Sequence, residues 1–154
     1  MNKKDTVVFD LDGTLLDTLE DLKNSVNYAM TQCGYPEHTL DEVRRYVGNG
    51  ILLLMQRAIP GGKDDPNFDK AFTLFKEHYG KHCNDTTKSY AGIMELLHTL
   101  KENNIKIAIV SNKADFAVKE LNAIYFKDLI PVAIGEKESE GIRKKPAPDT
   151  VIEA

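Results

Sequence analysis

The sequence is poor in cysteine and has no tract of basic residues, and both features exclude classes of protein. Its 154 residues contain two cysteines, Cys33 and Cys83, which form no CxxC pair. Free thiols of this kind predict a protein of the reducing cytoplasm rather than a disulfide-stabilised secreted domain. The formal net charge is −4, so a polyanion such as nucleic acid is not an expected partner.

Long apolar runs are also missing. Asp10 and Asp12 interrupt the first apolar run, which begins at Val7, too early for a signal peptide, and no later run approaches the length that spans a membrane. The sequence therefore predicts no membrane partner. Hydrophobic residues make up 42% of the chain, so it can bury a sizeable core, either in one domain or in a small core with an inserted lobe.

A pair of carboxylates lies at the end of a predicted strand. The segment TVVFDLDGTLLDT begins at Thr6, and its β-branched and apolar residues predict a buried strand that stops near Asp12. Side chains alternate across a strand, so Asp10 and Asp12 are expected on one face at its C-terminal end, where parallel α/β sheets bind ligands. Gly13 then permits a turn.

Two carboxylates so close together repel each other unless a cation lies between them or one of them holds a proton. A bound Mg²⁺ would keep Asp10 ionised as a nucleophile, while Asp12 could give a proton to a leaving group and later remove one from water. This pattern favours phosphoryl transfer through an aspartyl-phosphate. The alternative is an acidic turn without chemistry, because Asp and Gly are common turn residues.

The order of the predicted elements indicates an α/β protein with an inserted helical domain. Between residues 18 and 84, apolar residues recur at helical spacing without a strand. From Ser89 onward, helices alternate with apolar strands at 105–110 and 129–134, which predicts a Rossmann-like parallel sheet. We assign residues 1–17 and 85–154 to the α/β core and 18–84 to the all-helical insertion.

Two further residues are candidates for holding a phosphoryl group. Ser111, in IVSNK, follows the strand at 105–110, so its hydroxyl and the next backbone N–H groups can face the same edge as Asp10. Lys145, in KKPAPD, could offset the negative charge of a transferring phosphoryl group. The alternatives are a serine that caps a helix and a lysine that is merely solvated, as its neighbour Lys144 is expected to be.

The run FDLDGTLLDT resembles the first motif of the haloacid dehalogenase (HAD) superfamily in its phosphatase branch, and VGNG and KPAPD are similar to segments of its phosphoglycolate phosphatase-like members. The resemblance implies that Asp10 is the nucleophile and Asp12 the general acid and base. It also implies Mg²⁺, held by the Asp10 carboxylate and the main-chain carbonyl of Asp12. Ser111 with Asn112 matches the family's phosphate-binding second motif, and Lys145 in KPAPD matches its third motif. The helical insertion lies where the family has its helical cap.

The activity that this resemblance implies is Mg²⁺-dependent hydrolysis of a small phosphomonoester, such as phosphoglycolate, by a monomer or homodimer. The partner is then a small phosphorylated metabolite. The alternatives are a sugar-phosphate mutase resembling β-phosphoglucomutase, a pyrophosphatase on the same fold, or a catalytically inactive fragment.

The segment RRYVGNG in the helical insertion is a candidate for substrate specificity. Its glycines, Gly48 and Gly50, permit close approach of the backbone around Asn49, and Arg45 could pair with an anionic substrate group. In the family, this part of the cap carries the specificity loop. The alternative is a glycine-capped helix end with solvated arginines. The four histidines are interpreted as helix-surface or core residues without metal-ligand spacing.

One motif of the family has no counterpart in the sequence. The acidic fourth motif follows the lysine motif in the family and supplies a further Mg²⁺ carboxylate, whereas here the sequence ends at Ala154. Glu136, Glu138 and Glu140 precede Lys145 and are interpreted as a solvated loop. We therefore expect a truncated chain whose first strand is an exposed edge, with weakened metal binding, low activity and a tendency to self-associate.

Overall fold

The structure is a computed structural model that describes residues 4–154. The chain forms two compact units. The first, here called the sheet unit, contains the described residues through Asp17 together with Ser89–Ala154, and the second, the helical unit, is Thr18–Lys88. The chain leaves the helical unit after Lys88, later than the predicted boundary after Asn84.

The elements follow one another as the sequence predicts, with helices first and then alternating helices and strands. In chain order they are β1 (Thr6–Phe9), β2 (Leu16–Asp17), α1 (Leu19–Gln32), α2 (Leu40–Tyr46), α3 (Ile51–Ala58), α4 (Phe68–His82), β3 (Lys88–Ser89), α5 (Ile93–Glu102), β4 (Lys106–Ala114), α6 (Asp115–Tyr125), β5 (Val132–Glu136) and α7 (Asp149–Glu153). Single-turn 3-10 helices lie at Gly62–Asp64 and Glu138–Glu140. No helix within residues 4–154 is both long and apolar enough to span a membrane.

The sheet unit is built on a three-stranded sheet in the order β1-β4-β5. Both pairings are parallel, with Phe9 opposite Ile109 and Val110 opposite Ile134. Because β4 is the central strand, its apolar residues are buried on both faces, which explains the continuous apolar run in the sequence. The predicted α/β fold with a parallel sheet is confirmed. Among the described strands, β1 pairs only with β4, and Val8 on this edge is 40% exposed.

One apolar core lies within the sheet unit. It joins the residues that follow β1 to the central strand and the helix α6, and its fully buried members include Leu11, Leu15, Ile109, Leu121 and Ile130. Burial of side chains of this size contributes about 1.5–3 kcal/mol each relative to exposure. This core fixes the residues on either side of Asp10 and Asp12.

Several predicted strand boundaries are wrong, since β4 continues to Ala114 instead of ending at residue 110 and β5 continues to Glu136 instead of residue 134. β1 ends at Phe9 rather than near Asp12, because the carbonyl of Leu11 accepts hydrogen bonds from the N–H groups of the next turn, including that of Leu15. Asp10 and Asp12 therefore lie beyond the strand, and alternation along it does not explain their positions. The third predicted strand begins at Val132 instead of residue 129, because the N–H groups of residues 129 and 130 bond to the Phe126 carbonyl in a turn.

The helical unit has a core of its own, formed by α1 to α4. Its fully buried members include Val26, Met30, Met55 and Phe75. Neither cysteine forms a disulfide within residues 4–154, and Cys83 is a buried member of this core. The amphipathic helices predicted from the sequence are thus present, each burying its apolar stripe.

The start of α2 shows why one of these helices begins where it does. The sequence pattern of Thr39 followed three residues later by Glu42 predicts a capping box. The prediction is confirmed, since Thr39 Oγ1 accepts from the Glu42 N–H and the Glu42 carboxylate accepts from the Thr39 N–H. Two of the N–H groups that a helix start leaves unpaired are therefore satisfied.

A buried carboxylate ties the two ends of the helical unit together. Asp21 on α1 is 1% exposed, and its oxygens accept hydrogen bonds of 2.8–3.0 Å from the N–H and hydroxyl groups of Thr86 and Thr87. These threonines follow α4, so the network closes the unit where the chain leaves it. It also explains why the unit extends past Asn84.

Replacement of Asp21 by Ala is expected to destabilise the helical unit. The N–H and hydroxyl groups of two threonines would lose a buried charged acceptor, which should lower the free energy of unfolding by about 3 kcal/mol. Urea titration at neutral pH measures this change. The matched control is Asp64→Ala, an exposed carboxylate in the same unit, which should change stability by less than about 0.5 kcal/mol. Equal effects of the two variants would contradict a structural role for Asp21.

The same carboxylate predicts loss of stability in acid. Burial alone would raise the pKa of Asp21, but the hydrogen bonds from Thr86 and Thr87 outweigh it and hold the pKa below its usual 3.8. A lowered folded-state pKa stabilises the fold fully above the unfolded value, and this contribution disappears as the pH falls through the folded value. The unfolding free energy of Asp21→Asn should therefore decrease less than that of the unsubstituted protein as the pH is lowered from 5 into the acid range. The control variant Asp64→Asn should show the same decrease as the unsubstituted protein. A fall as steep as in the unsubstituted protein would refute the assignment.

Candidate active site

The two aspartates of the first motif are each paired with a lysine within the sheet unit. Lys145 Nζ lies 3.0 Å from Asp10 Oδ1, and Lys113 Nζ lies 2.8 Å from Asp12 Oδ1. Asp10 also accepts a hydrogen bond of 2.9 Å from the Leu11 N–H through the same oxygen. The mutual repulsion expected of two close carboxylates is thus offset by two ammonium groups.

Asn112 holds the segment that carries Lys145 against the end of β4. Its Nδ2 donates to the Lys145 carbonyl at 3.1 Å, and its Oδ1 accepts from the Lys145 N–H at 2.9 Å. A side-chain amide that bonds both backbone groups of one residue fixes that residue in position and orientation. Asn112 and Lys145, predicted as phosphate-binding residues, are therefore brought together, and Lys145 in turn reaches Asp10.

Ser111 lies in the irregular part of β4. The register with β5 shifts between Val110 and Ala114, and Ser111 falls inside this stretch. It does not cap a helix: α6 begins at Asp115, and Ser111 Oγ instead accepts from the Lys113 N–H at 3.1 Å. The buried serine, 3% exposed, therefore lies in the irregular end of β4 beside Asn112 and Lys113, whose side chains contact Lys145 and Asp12. Its role toward a phosphoryl group stays a prediction.

Lys113 is the residue of this cluster that the sequence reasoning missed. In SNK it reads as an ordinary lysine beyond a strand end, and no spacing rule distinguishes it. The structure buries its side chain to 4% exposure, and a lysine buried this deeply requires a partner, which is Asp12. Lys113 could have been predicted from the expectation that a cation lies beside Asp12.

The two aspartates form the oxygen donor set of this cluster. Mg²⁺ is usually bound through one or two carboxylates, with water and substrate phosphate as its other ligands. The contacts of Asp10 with Lys145 and Leu11 both use Oδ1, and its side chain is 46% exposed. Within residues 4–154, no group of three or more His, Cys, Asp or Glu side chains is arranged to hold a metal. Asp10 and Asp12 are therefore the candidate residues for holding a divalent cation.

The sequence matches a known protein family over a range that includes this cluster. The family model described as haloacid dehalogenase-like hydrolase matches residues 7–154, which include every residue of the cluster. The chain belongs to the haloacid dehalogenase-like hydrolase family. The resemblance seen in the first motif is therefore confirmed over residues 7–154.

Relatives in the haloacid dehalogenase family include several bacterial phosphoglycolate phosphatases. The chain is 33% identical over 153 residues to the phosphoglycolate phosphatase of Nitrosospira multiformis, covering 96% of this chain and 66% of the relative. It is 35% identical over 113 residues to that of Thiobacillus denitrificans, covering 71% of this chain and 50% of the relative. The chain thus spans about half to two thirds of the length of these relatives.

A solved structure extends the likeness to three dimensions. The crystal structure of a candidate phosphoglycolate phosphatase from Lactobacillus delbrueckii subsp. bulgaricus matches with a TM-score of 0.90 and 32% identity. The match covers 99% of this chain and 72% of that one. The likeness includes both units of the fold.

The candidates for substrate specificity lie in the helical unit, between α2 and α3. Gly48 and Gly50 have φ of +113° and +90°, a region that favours glycine. Arg57 on α3, which the sequence analysis did not single out, donates to the Tyr46 carbonyl at 2.7 Å and to Asn49 Oδ1 at 3.0 Å. The loop is therefore held by Arg57. Arg45 on α2 contributes to lowering the pKa of Glu42, after the hydrogen bonds from Thr39, and its role toward a substrate stays a prediction.

Loss of the Asn112 side chain should release the Lys145 segment. In Asn112→Ala, the Lys145 N–H loses its acceptor, and its hydrogen exchange should quicken by roughly tenfold, the equivalent of one hydrogen bond. Amide exchange of the intact chain, followed by NMR, measures this rate. The control is Asn122→Ala, which removes a side-chain bond to the Ile130 carbonyl in the same unit. An unchanged rate in Asn112→Ala would contradict the tether.

Proposed function

We propose that this protein is a metal-dependent phosphatase that hydrolyses a small phosphomonoester, with phosphoglycolate as the first substrate to test. The observation that carries the proposal is the connected cluster of Asp10, Asp12, Asn112, Lys113 and Lys145 in one unit. Its ion pairs and hydrogen bonds join the residues of three sequence motifs. The relatives named phosphoglycolate phosphatase support the choice of substrate.

In the proposed reaction, the Asp10 carboxylate attacks phosphorus, and the bond from phosphorus to the ester oxygen breaks. Asp12, which is ionised beside Lys113 in the free protein, takes up a proton when the ester binds and gives it to the departing oxygen, which leaves as an alcohol. Asp12 then takes a proton from water as the water oxygen attacks phosphorus, and the acyl-phosphate bond breaks to release phosphate and regenerate Asp10. Each step conserves charge and atoms, with one water consumed per ester.

Lys145 and a bound divalent cation would each stabilise negative charge at this site. Lys145 is 30% exposed and beside the nucleophile, so its ammonium can bind the phosphoryl oxygens while it still contacts Asp10. Ser111 and Asn112 keep the end of β4 and the Lys145 segment in place. A Mg²⁺ ion held by Asp10 and Asp12 would stabilise negative charge on the transferring phosphoryl group. The choice of Mg²⁺ over other divalent ions belongs to the proposal.

Asp10→Asn should abolish turnover, since the amide is not a nucleophile, with kcat falling by at least about 10³-fold. Phosphate release from 2-phosphoglycolate and from p-nitrophenyl phosphate measures it, with Mg²⁺ and with EDTA, which should also stop the reaction. The control is Asp128→Asn, an exposed carboxylate of the same unit. Acid-quenched protein should carry phosphate at Asp10 in the unsubstituted chain only. Retained activity in Asp10→Asn would refute the mechanism.

The same assay separates the alternatives. A mutase would return the phosphoryl group to a sugar phosphate instead of releasing phosphate, and a pyrophosphatase would prefer pyrophosphate. The assay is run on this chain and on any longer product that its gene encodes. Activity confined to the longer product would identify the 154-residue chain as an inactive fragment of a phosphatase. No metal-dependent activity in either would refute the proposed function.

A further inference from the structure

The central strand β4 bulges near its C-terminal end, where it pairs with β5. Val110 lies opposite Ile134 and Ala114 opposite Glu136, so β4 advances by four residues while β5 advances by two. A strand with extra residues bends locally and turns its side chains in new directions, and such bulges are common next to active sites. The bulge covers residues 111–113, which make the contacts of β4 with the other candidate residues.

Gly135 on β5 lies against this bulge, where the space beside it is too small for any side chain. It is buried, and a Cβ atom there would lie 2.4 Å from Asp115 Cα, 2.6 Å from the Asp115 nitrogen and 2.6 Å from the Lys113 carbonyl oxygen. All three are backbone atoms, so no side-chain rotation would relieve the overlap. Since ordinary van der Waals contact begins at 3.4 Å, an alanine would have to push β5 and the end of β4 apart by about 1 Å, in an interior too closely packed to absorb it.

The requirement for glycine at this position concerns space and not backbone conformation. Gly135 does not have a positive φ, so other residues could adopt its conformation. Gly13, in the turn after β1, is the opposite case, because its φ is +76° and a Cβ there would meet nothing within 4 Å. A glycine inside a strand is typical of a place where another segment of backbone approaches closely.

The carboxylate of Asp115 holds β5 in this close approach. Asp115 Oδ1 accepts from the Gly135 N–H at 2.9 Å, and Oδ2 pairs with Lys119. Burial raises the pKa of Asp115, but the hydrogen bonds from Lys119 and from the Gly135 N–H outweigh it, so the pKa is lowered and the carboxyl is ionised at neutral pH. A charged acceptor therefore ties β5 to the residue that follows β4, at the point where glycine permits the contact.

We propose that Gly135 is a positioning residue of the candidate active site. With Asp115, it fixes the bulge of β4 in the conformation that directs the Lys113 ammonium to Asp12. The carbonyl oxygen that a Cβ would strike belongs to Lys113 itself, whose Nζ lies 2.8 Å from Asp12 Oδ1. A displacement of about 1 Å lengthens a hydrogen bond of that length beyond its normal range. The inference rests on the proposed function only for what Asp12 does to a substrate, because the contact between Lys113 and Asp12 is present without one.

The test measures how fast the Lys113 ammonium protons exchange with water, from ¹H–¹⁵N NMR spectra of the intact chain. Exchange should be slow in the unsubstituted protein, because the side chain is 4% exposed and bonded to Asp12. In Gly135→Ala it should quicken by at least about tenfold, the equivalent of one hydrogen bond. The control is Gly80→Ala, where a Cβ would meet nothing within 4 Å. An unchanged rate in Gly135→Ala would overturn the proposal. No substrate takes part, so this failure is distinct from a failure of the phosphatase assay.

Further variants separate positioning from a general loss of stability, and they decide the matter if Gly135→Ala does not fold. Ile134→Ala removes a buried side chain from the same strand, so it should lower the stability measured in urea but leave Lys113 exchange unchanged. Asp115→Ala removes the acceptor of the Gly135 N–H and should quicken exchange. Asp115→Asn keeps an acceptor there and should restore the slow rate. Exchange as fast in Ile134→Ala as in Asp115→Ala, or no rescue in Asp115→Asn, would refute a positioning role.

Discussion

The sheet unit depends on the neutralisation of two aspartates that lie two residues apart. Asp10 and Asp12 directly follow β1, in a turn whose residues Leu11 and Leu15 are fully buried. Repulsion between these two carboxylates would destabilise the turn if no cation lay beside them. The ammonium groups of Lys113 and Lys145 supply that charge at 2.8 and 3.0 Å.

The topology explains why these cations come from two distant parts of the chain. β4 is the central strand of a parallel sheet, so its C-terminal end lies beside the turn that follows β1. Lys113 extends from that end directly. Lys145 comes from the loop after β5 and is held there by Asn112, so the position of the second cation also depends on β4. The irregular end of β4, between Val110 and Ala114, thus positions the lysines of both ion pairs.

Much of this was predictable from the sequence, and the exceptions have physical reasons. The parallel sheet and the helical insertion follow from patterns of spacing, and short motifs single out Asp10 and Lys145, which the structure brings into contact; their catalytic roles stay predictions. Lys113 could not be found in this way, because burial of a lysine depends on packing by residues distant in sequence. Asp21 escaped notice for the same reason, since its partners lie 65 and 66 residues away along the chain. The end of β1 was misplaced because a backbone turn at Leu11 ends the strand early. The start of β5 was misplaced because a turn at Phe126 takes up the first residues of the predicted strand, although these residues are apolar.

The two lysines differ in a way that matters for chemistry at the site. Lys113 has a side chain exposed to 4%, so its ammonium has little access to water that could replace the contact with Asp12. Lys145 is 30% exposed and its ammonium has three donors, so it can keep Asp10 and accept a second anionic group at once. A phosphoryl group approaching Asp10 would therefore meet a cation that is already in position and still accessible, while the second aspartate keeps its orientation. The difference in burial between two chemically identical side chains thus leaves the ammonium of Lys145 more accessible to a ligand than the ammonium of Lys113.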